Sequence, residues 1–170
     1  VPIREKDGSR EEYLYVDNID GVLELVQMNV LELHPWGSRI EDVEHPDRLV
    51  FDLDPGEGVD WNAIKAAARD IRARLEEVGL QSFLRLSGGK GLHVVVPLAP
   101  RLGYEEVKAF SKAVVEHMAR TIPQKFVAVP GAKNRIGKIF IDYLRNNHTA
   151  TTASAFSARS RPGLVCRSPS

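Results

Sequence analysis

The sequence predicts an α+β fold, a mixed and largely antiparallel sheet with flanking helices. Three observations predict it. Short apolar runs of strand length alternate with longer segments whose apolar residues recur at helical spacing. Two of the strand runs flank a tight glycine loop, Ser87-Gly88-Gly89-Lys90-Gly91, which is too short for a crossover and implies an antiparallel hairpin. The 170 residues show no internal repeat, and 43% apolar content suffices for one ordinary core, read as a single domain over 1–170.

Residues 1–12 are polar and read as a loop or a frayed edge, and Tyr13-Leu14-Tyr15-Val16 is a short strand signal. Asp17 or Asn18 can cap a first helix, in which Ile19, Leu23, Val26, Val30 and Leu33 keep the helical period. His34-Pro35-Trp36-Gly37 stops it, and a histidine just past a helix end is often only a cap. Residues 38–48 are loop-like and lead into the apolar strand around Val50-Phe51-Asp52-Leu53-Asp54, closed by Pro55-Gly56. Asp60 caps a second helix with one stripe of Trp61, Ile64, Ala68, Ile71, Leu75 and Val78, and Gly79 stops it.

Ser82–Leu86 and Leu92–Leu98 are the strands of the glycine hairpin. A third helix spans about 104–122, with Val107, Phe110, Val114, Met118 and Ile122 on one side. Glu105 and Glu106 suit its positive end, and Pro123 follows it. Phe126–Val129 is a strand, 131–138 a basic loop, and Ile139–Leu144 a further apolar strand with one acid, Asp142. From 145 onward the chain is rich in Thr, Ala and Ser with scattered arginines.

Composition narrows the function classes. No apolar run approaches the roughly 20 residues that span a bilayer, and no signal-peptide pattern opens the chain. The chain begins Val1-Pro2-Ile3 without Met, as a piece of a longer protein would. One cysteine, Cys166, excludes an internal disulfide framework and fits a reducing cytoplasm. Net charge is zero but unevenly spread. Residues 1–100 carry 11 basic and 19 acidic side chains, and residues 101–170 carry 12 and 4. An acidic half with ligand candidates beside a basic half suits a phosphate-rich ligand.

Strand parity carries the chemistry. Asp52 and Asp54 share one face, opposite Leu49, Phe51 and Leu53, and lie roughly 7 Å apart along the backbone. The bland reading of such a pair is a turn cap or an arginine partner. Asp142 shares its face with Phe140, opposite Ile139 and Ile141. Three carboxylates can hold two divalent cations about 3.5–4 Å apart for phosphoryl or nucleotidyl transfer, and oxygen donors favour Mg²⁺ or Mn²⁺. In the glycine loop the backbone can approach phosphate closely, and Lys90 adds a point charge. His93, at the loop's edge and of modest packing value, can donate to a phosphate oxygen or act as a general acid. Lys133, Arg135 and Lys138 share one glycine-flanked basic loop, suited to phosphate contacts, and none of them is a metal-ligand candidate.

Phe51-Asp52-Leu53-Asp54-Pro55-Gly56, Leu86-Ser87-Gly88-Gly89-Lys90-Gly91-Leu92-His93 and Phe140-Ile141-Asp142-Tyr143-Leu144-Arg145-Asn146 together resemble the polymerase domain of bacterial DNA ligase D, of the archaeo-eukaryotic primase superfamily. Leu33-His34-Pro35-Trp36 and Phe156–Gly163 match it too, so the resemblance covers roughly 13–163 in order. It implies a primase-like catalytic core and a template-directed polymerase that fills short gaps at double-strand breaks in non-homologous end joining. Carried over by motif, Asp52, Asp54 and Asp142 bind two manganese or magnesium ions, with His93 also catalytic. Ser87, Lys90 and His93 meet the incoming nucleoside triphosphate, His34 and Arg145 line its pocket, and Arg159 and Arg161 supply charge to phosphates. The implied partners are DNA ends or a gapped duplex, nucleoside triphosphates, Ku and a ligase domain, with no membrane, in a prokaryotic cytoplasm at the nucleoid. Against the family pattern two departures are expected: the sequence reads as lacking the N-terminal segment, and the tail 164–170 reads as atypical. Two alternatives stay open. A phosphatase of haloacid-dehalogenase type also uses Asp-x-Asp after a strand, with the first Asp as nucleophile, and requires a parallel sheet. An inactive nucleic-acid-binding fragment explains the basic half alone.

Overall fold

A computed structural model describes residues 1–4, 7–155 and 157. The chain divides into two compact units, Val1–Leu31 and Glu32–Ser170.

In the first unit, β1 (Pro2–Arg4) and β2 (Arg10–Glu12) pair as an antiparallel hairpin where the sequence reads as loop. The determinant is turn chemistry rather than hydrophobicity. Asp7 Oδ1 accepts from the Ser9 N–H at 2.9 Å and from its Oγ at 2.7 Å, and Gly8 takes φ 88°. The strand expected at Tyr13–Val16 does not form. Only Tyr13 continues the ladder, its N–H donating to the Val1 carbonyl at 2.8 Å and its carbonyl accepting from the Val1 amine at 2.6 Å, and Leu14, Tyr15 and Val16 are exposed. α1 (Ile19–Gln27) starts at Asn18, whose Oδ1 accepts from the Gly21 N–H at 2.9 Å. It ends before Val30 and Leu33 because Asn29 turns left-handed, at φ 63°. The N–H groups of Asn29 and Val30 fold back onto the carbonyls of Val26 and Leu25, which closes the helix. His34 therefore caps no helix.

The second unit holds one sheet of β3 (Arg48–Pro55), β4 (Phe83–Leu86), β5 (Leu92–Pro97), β6 (Phe126–Val127) and β7 (Ile139–Asp142). Its order is β4-β5-β3-β7-β6, and every pair is antiparallel except β6 with β7. The mixed α+β class follows. The antiparallel neighbours on both sides of β3 remove the parallel sheet that a phosphatase of haloacid-dehalogenase type requires.

α2 (Trp61–Glu77) and α3 (Tyr104–Thr121) pack on one face of that sheet. Asp60 Oδ1 caps α2 by accepting from the Ala63 N–H at 2.7 Å. Ile64, Ala67, Ala68, Ile71 and Leu75 are buried, while Trp61 and Val78 run off the ends of the stripe and are exposed. In α3 the buried line is Tyr104, Val107, Ser111, Val115 and Met118, so the contact face is rotated away from Phe110, which is exposed. Leu49, Phe51 and Leu53 of β3 meet Leu92, Val94 and Val96 of β5 and Ile139 and Ile141 of β7 beneath the helices. The three β3 side chains alone contribute about 5–9 kcal/mol at roughly 1.5–3 each. A slip of one residue would turn them all to the other face, so the core pins the register.

The edge of β3 that pairs with β7 has a gap that sequence reasoning did not see. β7 pairs with β3 only from Asp52 to Pro55, so Val50 faces no β7 residue. Asn146, buried in the turn after β7, takes that place. Its Oδ1 accepts from the Val50 N–H at 2.7 Å, and its Nδ2 donates to the carbonyls of Val50 at 2.9 Å and Tyr143 at 3.0 Å. The amide thus acts as one peptide unit of a missing strand. Among the described residues no helix is long and apolar enough to cross a membrane.

Asn146→Ala would leave the Val50 N–H and carbonyl without these partners. The expected loss is about 2–3 kcal/mol, read as a lowered urea midpoint at unchanged slope. A change under about 0.5 kcal/mol, the size of an ordinary surface substitution, would show that water replaces the amide.

Candidate functional site

The register of β3 against both neighbours lines up four chemically loaded residues. Arg85 stands opposite His93, His93 opposite Asp52, and Asp52 opposite Asp142. Cross-strand partners share a face, so these four form one row across β4, β5, β3 and β7. Asp54 lies two residues along β3 on the same face, opposite Phe140. This confirms the parity argument for the three acids and places them on the face away from the helices.

Asp52 is 9% exposed and His93 3% exposed, so this row is largely withdrawn from water. Asp52 Oδ1 lies 3.4 Å from His93 Nε2, and its Oδ2 lies 3.7 Å from Arg145 Nε. The same Arg145 nitrogen is 3.2 Å from Asp142 Oδ2. Asp142 Oδ1 accepts from the Leu144 N–H at 2.8 Å, which closes the turn that ends β7. Arg135 Nη1 sits 3.6 Å from Asp54 Oδ2. The bland reading of the acids as turn caps and arginine partners is thus also visible. Burial pushes the Asp54 carboxyl above its ordinary range, Asp52 pushes it further, and Arg135 acts against both.

His34, Ser87, Lys90, His93, Arg145, Asp52 and Asp54 line one small cavity of about 180 Å³, together with Thr151, Thr152 and Ala153. His34 reaches it because the chain near residue 154 runs alongside Leu33: the Ser154 N–H donates to the Leu33 carbonyl at 2.8 Å. The His34 ring also pairs with Glu32, at 3.0 Å. Ser87 shapes the loop itself. Its Oγ donates to the Gly91 carbonyl at 2.8 Å and accepts from the Gly89 N–H at 3.3 Å. Gly91 has to be glycine, since a Cβ there would overlap the Leu53 carbonyl of β3. Close packing of backbone on backbone is what brings the loop to the acids.

A second, more open cavity of about 830 Å³ adjoins the end of β3 and is lined by Pro55, Gly56, Lys90, Lys133 and Arg135 among others. Lys133 and Arg135 therefore face one hollow, and Lys138 lies behind it, its carbonyl accepting from the Gly56 N–H at 2.9 Å. Two expectations need correction. Arg135 is not independent of the acids, because it pairs with Asp54. His93 is not a loop-edge residue of small packing value, because it is buried between strands. Arg159 and Arg161, like the tail 164–170, lie outside the described residues. Arg85, Asn146 and Thr152 were missed. The only signal for Arg85 was a charge within the apolar run Phe83-Leu84-Arg85-Leu86.

As the side chains stand, no group of three His, Cys, Asp or Glu among the described residues closes to hold a metal ion. The donors fit a divalent cation in kind: they are hard carboxylate oxygens on one sheet face, and Arg145 already sits between two of them as a cation.

Comparison with known proteins follows the same lines. The family model described as the LigD primase-polymerase domain matches residues 1–169. The multifunctional non-homologous end joining protein LigD of Pseudomonas aeruginosa is 42% identical over 163 residues, 96% of this chain and 19% of that protein. Its counterpart in Mycolicibacterium smegmatis is 32% identical over 169 residues, 98% of this chain and 22% of that protein. The chain thus spans about a fifth of these relatives. Among solved structures, the polymerase domain from Mycobacterium tuberculosis ligase D in complex with DNA superposes with a TM-score of 0.90 at 28% identity, over 99% of this chain and 61% of that one.

The raised Asp54 carboxyl has a signed consequence. Between the ordinary 3.8 and its elevated value, the folded chain holds a proton that the unfolded chain has lost, so stability falls as pH rises through that window. Asp54→Asn should raise the melting temperature at about pH 7 and leave it unchanged near pH 3, where both side chains are neutral. Calorimetry at the two pH values checks it; a lower melting temperature at the higher pH would mean that the Arg135 contact outweighs the repulsion.

Proposed function

The chain belongs to the LigD primase-polymerase family, and from that premise we propose that it performs template-directed nucleotidyl transfer, filling short gaps at DNA double-strand breaks in non-homologous end joining. The observation that carries the reading is the cross-strand row Asp142–Asp52–His93 beside a cavity that also holds Lys90, His34 and Arg145. Anionic and cationic groups face each other across a space lined on one side by a glycine loop, an arrangement suited to a metal-bound triphosphate.

In this reading Asp52, Asp54 and Asp142 would hold manganese or magnesium, on the side chains that Arg145 neutralises here. When bound, the metal stabilises charge on the transferring phosphoryl group. The chain's own groups do the rest. The loop from Ser87 to Gly91 shapes a seat for the triphosphate, and Lys90 meets its outer phosphates. His93 and Arg145 donate towards the charge that builds as the primer 3′-oxygen, its proton passing to solvent, bonds to the α-phosphorus and pyrophosphate departs. His34 lines the nucleotide side of the pocket. Lys133 and Lys138 hold the DNA backbone, and Arg159 and Arg161 add charge to phosphates. Base pairing with the template selects the nucleotide, so these contacts need no sequence preference. Ku and a ligase domain are the partners this role calls for, at the nucleoid.

Primer extension on a gapped duplex with Mn²⁺ tests the proposal. The chain should add nucleotides opposite the template, and Asp52→Ala or Asp142→Ala should reduce extension by about a thousandfold, as expected for loss of several kcal/mol of charge stabilisation. His93→Ala should lose about a hundredfold and also melt lower, because the ring is buried. Extension that survives in both acid variants would overturn the assignment.

DNA affinity gives an independent check. Each phosphate neutralised contributes about 0.9 to the slope of log affinity against log salt. Lys133→Ala with Lys138→Ala should flatten that slope by about two while sparing the Arg135–Asp54 contact. An unchanged slope would make these lysines surface solvation only.

A further inference from the structure

Arg85 ends the cross-strand row and has no part in the chemistry described above. It lies on β4 between the exposed side chains of Leu84 and Leu86 and directly opposite His93. Its Nε and Nη2 stand 3.2 and 2.8 Å from His93 Nδ1, and Nη2 also donates to Thr152 Oγ1 at 3.1 Å. A guanidinium only donates. His93 Nδ1 must therefore present a lone pair, which leaves the ring proton on Nε2. That nitrogen faces Asp52 Oδ1, at 3.4 Å, and His93 lines the small cavity.

Which imidazole nitrogen carries the proton is set by the partner of the other one. Here that partner is charged, unable to accept, and anchored at a second point by Thr152. We infer that Arg85 is a positioning residue: by occupying Nδ1 it locks His93 as an Nε2–H donor aimed at the carboxylates and the cavity between them and the glycine loop. The lock itself is independent of what fills the cavity. Its consequence rests on the proposed nucleotidyl transfer: His93 offers a proton to a phosphate oxygen and does not withdraw one. Without Arg85 the ring could place its proton on either nitrogen, and only one of the two forms would serve.

The experiment reads the tautomer directly. In the full chain with ¹⁵N-labelled histidine, long-range ¹H–¹⁵N correlation should show His93 with a bare Nδ1 and a protonated Nε2, the signal being identified by its loss in His93→Gln. Arg85→Met should give a mixture of tautomers, and Arg85→Lys, which keeps a donor, should restore much of the Nε2–H form. Arg85→Met should lower kcat for nucleotide addition about tenfold, the scale of a lost supporting hydrogen bond, with a smaller change in KM. A proton on Nδ1 in the unaltered chain, or an unchanged tautomer in Arg85→Met, would overturn the lock. If the tautomers follow Arg85 as stated while the unaltered chain extends no primer, the polymerase reading falls and the lock stands.

Discussion

The structure depends on one conflict: the register that buries the core also sets two carboxylates face to face. Asp52 and Asp142 are direct cross-strand partners on a largely buried face. Like charges so placed repel, and burial raises the cost. On the opposite face the same register packs Leu49, Phe51 and Leu53 against the strands on either side and under both helices. The core term is several kcal/mol in β3 alone, and a shift of one residue would forfeit all of it. Hydrophobic packing therefore holds the acids where they would not settle by themselves.

What makes this tolerable is positive charge brought from outside the sheet. Arg145 follows β7 by a single turn and spans both acids, and Arg135 reaches Asp54 from the loop before β7. On the far side Arg85 holds the imidazole that stands next to Asp52. In the proposed function a bound cation would take over part of the neutralisation that the arginines provide here, so the groups that strain the folded chain are the ones that would gain most from it.

Close backbone contact sets the geometry around them. A Cβ at Gly56 would overlap the Arg135 carbonyl, and one at Gly91 would overlap that of Leu53. These two glycines let the basic loop and the glycine loop press against the end of β3. Asn146 completes the frame by hydrogen bonding Val50 where no strand does. The turn that carries Arg145 is thereby tied to the strand that carries the acids.

The sequence by itself determined the parity of Asp52, Asp54 and Asp142, the glycine hairpin, the cap at Asp60, a first cap at either Asp17 or Asn18, and the α+β class. Each depends on a local rule, either side-chain alternation or the chemistry of a few neighbouring residues. It misjudged α1, because an apolar period does not reveal that Asn29 will turn left-handed. It also missed the first hairpin, whose only mark is Asp7-Gly8. Pairing between strands distant in the chain was beyond its reach. Which residue of β5 and which of β7 faces Asp52 depends on the summed packing of segments up to some 90 residues apart in the chain. Only the tertiary structure therefore decided that Arg85, His93, Asp52 and Asp142 form one row, that Arg145 joins two of them, and that Asn146 stands in for a strand.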